Sequence, residues 1–136
     1  MKFQNSPRLA IASDALIAAT SNSKLDAAEF GHALSDAAAS GAIKFGRWAK
    51  QLYTVAQAGA VHAEIVFRAI EVLFETGNGT QSSDFGRMVE LEYELAHLTD
   101  LKLKSPGCLR NLAGLKMGGK TGRAANALLK RSSVSD

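Results

Sequence analysis

The sequence predicts an all-α fold, and three observations carry that prediction. Alanine (23 residues) and leucine (16) are the commonest residues, and both favour helix over strand. Proline occurs only twice, each time directly after a serine, where Ser-Pro reads as a helix start. Apolar residues recur three and four apart over most of the chain, the spacing that turns one helix face towards a core. A chain of 136 residues is the size of one ordinary domain. The expected architecture is a single compact bundle of about five to seven helices spanning 1–136.

Each element follows from local signals. Ser6 and Pro7 open a helix that should run to about Thr20, ended by "TSNS". Ser23 with Asp26 resembles a capping box and begins a second helix to about Ala39, with Ala27, Phe30, Leu34 and Ala38 as its apolar stripe. After Gly41 comes the clearest amphipathic element: Phe45, Trp48, Ala49, Leu52, Val55 and Ala56 share one face, and Lys44, Arg47, Lys50, Gln51 and Thr54 the other.

The segment 59–76 differs from these. Its charges, Glu64, Arg68, Glu71 and Glu75, form one narrow stripe, and Val61, Ile65, Val66, Phe67, Ile70, Val72, Leu73 and Phe74 occupy the rest of the circumference. A helix apolar on most sides is a central helix. Glu64 and Arg68 have the spacing for a pair along it.

"TGNGTQSSD", residues 76–84, is the one long loop. Ser83 should cap the next helix, with Met88, Leu91, Leu95 and Leu98 inward and an end as late as Lys104. Ser105 and Pro106 start a short helix with Leu109 and Leu112 inward. Gly118 and Gly119 interrupt it, Thr121 is placed to cap a last short helix, and "SSVSD" should fray. The expected core comprises Phe30, Leu34, Phe45, Trp48, Leu52, Ile65, Val66, Leu73, Leu91 and Leu95.

Several classes are disfavoured by composition. Ser13 and Asp14 interrupt the N-terminal apolar stretch, so no signal-peptide core is expected. No run approaches the ~18 apolar residues of a membrane span. The lone cysteine, Cys108, has no intramolecular partner and fits a reducing, cytoplasmic setting.

Sequence patterns that resemble chemistry weaken on inspection. "GLKMGGKTG" matches the phosphate-loop pattern through Gly114, Gly119, Lys120 and Thr121, yet "CLRNLA" before it reads as helix, where a phosphate loop follows a buried strand. Only 15 residues follow Thr121, too few for the remaining sheet. Two E-x-x-H pairs, Glu29/His32 and Glu94/His97, have the spacing of dimetal bundles, but both should point away from their apolar stripes. His62 lacks an evident catalytic partner. Cys108 falls in a helix first turn, where the dipole activates a thiol; the competing reading is a small buried residue. A non-enzymatic protein with no metal or cofactor is expected.

Charge is the remaining signal. Residues 1–100 hold 8 Lys and Arg against 12 Asp and Glu, whereas residues 101–136 hold 8 against 1, within an overall +3. Lys102, Lys104, Arg110, Lys116, Lys120, Arg123, Lys130 and Arg131 therefore form a basic C-terminal segment, with Asn126 among them. One expectation is phosphate contact with nucleic acid by a small regulatory or accessory protein. "CLRNLAGLK" and "TGRAANALLKR" have a helix-turn-helix outline with Arg123 and Asn126 as readers. The alternative is an inhibitor or adaptor that docks an acidic or helical protein. Because Tyr93 is the last aromatic residue, the basic segment is expected to lack stacking platforms.

Overall fold

The computed structural model describes residues 27–39, 45–78, 80, 84–115 and 117–132. The expected helix from Pro7 to Thr20, the Ser23/Asp26 box, Gly41, Lys44, Ser83, Lys116 and the frayed end after Ser132 lie outside them. Six helices are described: α1 (Ala27–Ala39), α2 (Phe45–Ala56), α3 (Ala60–Thr76), α4 (Phe85–Thr99), α5 (Pro106–Gly114) and α6 (Gly119–Lys130). The fold is an all-α bundle.

α3 is its centre and touches α1, α2, α4 and α5. Ala63, Ile65, Val66, Phe67, Ala69, Ile70, Leu73 and Phe74 are all buried, so most of the apolar circumference of this helix is covered within one chain. All ten expected core residues are buried. Phe85 bridges two neighbouring helices edge-on, with ring centroids 5.9 Å from Phe45 and 5.4 Å from Phe74. α1 lies close to α3 at Gly31, where an added methyl would collide with Val72 and stand 2.8 Å from the Ala69 carbonyl oxygen. Glycine is what permits that approach.

The polar stripe of α3 is put to a different use from the expected one. Arg68 pairs with Glu71 at 2.8 Å rather than with Glu64, and its guanidinium also donates to the Lys102 carbonyl at 2.9 Å. Glu71 is buried, and its second oxygen accepts from the amides of Lys104 and Ser105 at 2.5 and 2.7 Å. The segment 101–105 thus crosses α3 with its backbone held by two α3 side chains, and Leu103 is buried in the core. Amides outside a helix need acceptors, and a carboxylate is a strong one.

This crossing explains why α4 stops at Thr99 rather than Lys104. Asp100 turns left-handed at φ 61° and donates its amide to the Ala96 carbonyl; aspartate tolerates that conformation better than most residues. Leu98, expected inward, is 62% exposed, and Val61 is 53% exposed. The inward arc of α4 instead comprises Phe85, Met88, Val89, Leu91, Glu92, Leu95 and Ala96. It is wide because α2, α3 and α6 all pack on α4. At about 100° per residue, Leu98 falls off its edge.

Side-chain amides clamp the α3 C-terminus, where carbonyls lack helical partners. Asn111 of α5 donates to the carbonyls of Phe74 and Glu75, both at 2.9 Å. Asn78 donates to Ser35 Oγ at 2.7 Å, and Ser35 in turn donates to Thr76 at 2.9 Å. The start of the 76–84 loop is thereby joined to α1.

Candidate nucleic-acid interface

The Ser-Pro signal opens α5 as expected: Ser105 Oγ accepts from the Cys108 amide at 3.1 Å, and Pro106 occupies the first turn. α5 ends at Gly114, and α6 begins at Gly119. The segment that matched a phosphate loop therefore has helix before it and helix after it. Gly122 is buried against the Met117 carbonyl, and a methyl there would overlap that oxygen. Its missing side chain leaves room for the Met117 backbone against α6. Thr121 is not a cap; it sits within the first turn and donates to Glu90 of α4 at 2.7 Å.

α6 has two different faces. Gly122, Ala124, Ala125 and Leu128 are buried, and this small-residue underside lets α6 lie close on α4. Lys120, Arg123, Asn126 and Lys130 are all exposed. At about 100° per residue these four span roughly 120° of the helix circumference. They form one outward, cationic face.

The other cations are elsewhere. Lys102 and Lys104 are exposed on the segment crossing α3, and Arg110 is exposed on α5. Arg131 is folded back onto the end of α4, donating to the Ala96 carbonyl at 3.0 Å and pairing with Asp100 at 3.2 Å. It tethers α6 to α4. The basic segment is thus divided into a cationic helix face, a few separate surface charges and a structural arginine.

Beside the cationic face runs a groove of about 600 Å³ between α4 and α6. Tyr93, Glu94, His97 and Leu98 line it from α4, and Lys120 and Arg123 from α6. Tyr93 and His97, one helical turn apart, form a stack with ring centroids 6.4 Å apart and planes inclined by 26°. The basic segment has no Phe, Trp or Tyr of its own; the aromatic rings beside it come from α4. No local pattern signals this pairing, because only the packing of α6 on α4 brings residues so distant in the chain together.

The remaining candidates have structural places. Glu29, His32, Glu94 and His97 are exposed, and among the described residues no group of three His, Cys, Asp or Glu could hold a metal ion. Cys108 is fully buried; burial, followed by the nearby charges of Glu92, Glu71 and Glu75, pushes its thiol pKa well up. That is the opposite of activation. His62 is half-buried near the α3 start.

The sequence reading did not single out Glu92. It is fully buried near the middle of the inward arc of α4, and neither carboxyl oxygen has a hydrogen-bond partner. Desolvation first and Glu71 second hold its pKa well above the usual carboxylate range, with Arg68 opposing. Burial without a hydrogen-bond partner disfavours the charged form of a carboxyl.

Among the described residues no helix is long and apolar enough to cross a membrane. The family model described as "Domain of unknown function (DUF7825)" matches residues 4–130, and the chain belongs to that family. No curated protein and no solved structure matches the chain.

Proposed function

We propose that this family member is a small, non-enzymatic nucleic-acid-binding protein, a regulatory or accessory factor that contacts phosphates through the outer face of α6. The observation that carries the reading is the emergence of Lys120, Arg123, Asn126 and Lys130 on one exposed face of one helix. Lysine and arginine neutralise phosphates, and asparagine or arginine can read a base edge. α5 and α6, in contact across a short glycine-containing connection, support a helix-turn-helix type of presentation. Fluorescence anisotropy with labelled oligonucleotides tests it: affinity falls with salt, and neutralising Lys120, Arg123 and Lys130 together abolishes binding. Lys102, Lys104, Arg110 and Lys116 would add contacts if the nucleic acid extends beyond α6.

A second reading, an inhibitor or adaptor docking a protein, is favoured by the mixed charge beside that face. Glu90 and Glu94 share the groove with Lys120 and Arg123, and exposed Leu98 lies at its edge. Such a surface suits an amphipathic helix of mixed charge. A complex recovered from the native host that survives nuclease treatment would favour this reading over the first. A reducing, cytoplasmic setting accords with the buried free thiol of Cys108.

A further inference from the structure

We infer that the α4–α6 groove accepts a single unpaired nucleotide, its base on the Tyr93–His97 stack and its phosphate between Lys120 and Arg123, so that single-stranded nucleic acid binds better than duplex. The inference rests on the nucleic-acid reading and narrows it.

Four features of the groove converge on this ligand. Its volume of about 600 Å³ lies within the ~300 to 1,000 Å³ range of small-ligand sites. Tyr93 and His97 supply an aromatic stack, and His97, its outer member, is exposed. Stacking on aromatic side chains is the usual way proteins hold unpaired bases. Lys120 and Arg123 line the same groove and continue directly into the cationic face of α6, where the flanking phosphates of a strand would run. Glu94, exposed on the opposite wall, disfavours a second phosphate and offers an acceptor to the amino group of a base. Glu90 is already engaged by Thr121.

A duplex cannot use these features together. Its bases are stacked inside, and presenting one to Tyr93 and His97 requires unpairing it. It keeps only the contacts that the outer face of α6 makes, without the stack.

The test compares a labelled 12-nucleotide DNA of mixed sequence, the equivalent RNA and the matching DNA duplex by anisotropy at one salt concentration. Expected is binding of at least one single strand roughly tenfold tighter than the duplex, the size of one stacking contact. Replacing the stack with Tyr93→Leu and His97→Ala should bring the single strand to the duplex level and leave duplex affinity within about twofold. His97→Ala alone, at an exposed position, should give part of the same loss if the double variant folds poorly. A 5-iodouracil strand should photo-crosslink to the peptide containing Tyr93 and His97. Equal or tighter duplex binding, equal loss for both ligands in the variants, or a crosslink elsewhere overturns the inference while leaving nucleic-acid binding intact. Absence of binding to all three ligands overturns the nucleic-acid reading itself.

Discussion

Replacing Glu92 with methionine should stabilise the protein, and by an amount that grows with pH. Glu92 buries two carboxyl oxygens without partners in the interior face of α4. An unpartnered buried polar group costs about 1–3 kcal/mol, and methionine fills a similar volume with a flexible apolar tail. The pH dependence follows from the raised pKa. In the unfolded chain the carboxyl titrates near ~4.3; below that value it is protonated in both states and contributes no slope. As pH rises past it, the unfolded chain loses the proton while the folded protein retains it. Stability from this group then declines by up to about 1.4 kcal/mol per pH unit until the folded pKa is reached. Methionine abolishes that slope. Between pH 5 and 7 the advantage of the variant should widen by on the order of 1–3 kcal/mol, or roughly 0.5–1 M in the urea midpoint at a slope of about 2–3 kcal/mol per M. Buried Trp48 provides the fluorescence signal for urea titrations at the two pH values. A difference that stays constant or shrinks as pH rises would show that Glu92 is solvated or partnered, and the reasoning would fail.

Glu71→Gln should destabilise by about 2–4 kcal/mol in urea titrations, since it removes the charged acceptor shared by Arg68 and the amides of Lys104 and Ser105; a loss below about 0.5 kcal/mol would mean that the crossing segment is held otherwise. Gly122→Ala should cost about 1–3 kcal/mol because the added methyl meets backbone at Met117, and the melting temperature should fall by several degrees. Cys108, buried and with its thiol pKa pushed up, should resist iodoacetamide at neutral pH and react at an ordinary rate only after denaturation; rapid labelling of the folded protein would contradict its burial.

Much of the fold was legible in the sequence because local rules and tertiary packing agree there. The apolar circumference of 59–76 announced a central helix, and α3 occupies that position. Ser105 and Pro106 announced α5, and the serine cap is present. What the sequence concealed depends on where segments land. Leu98 continues the α4 stripe by spacing but lies beyond its buried arc, whereas Glu92 breaks the stripe by type and lies inside it. Glu71 reads as one more surface acid until the segment 101–105 is laid across it. Likewise Lys120 and Arg123 were visible as charge, but Tyr93 and His97 become their neighbours only when the small underside of α6 packs on α4.

The salt dependence of oligonucleotide binding most directly tests the role of α6. With Lys120, Arg123 and Lys130 engaged, log K should fall with log salt at a slope of about −2 for a single strand or about −2.7 for duplex DNA. The Lys120→Gln, Arg123→Gln, Lys130→Gln variant should show little binding and almost no slope. Wild-type binding that ignores salt, or a triple variant that binds as well as wild type, would contradict phosphate contact by this face.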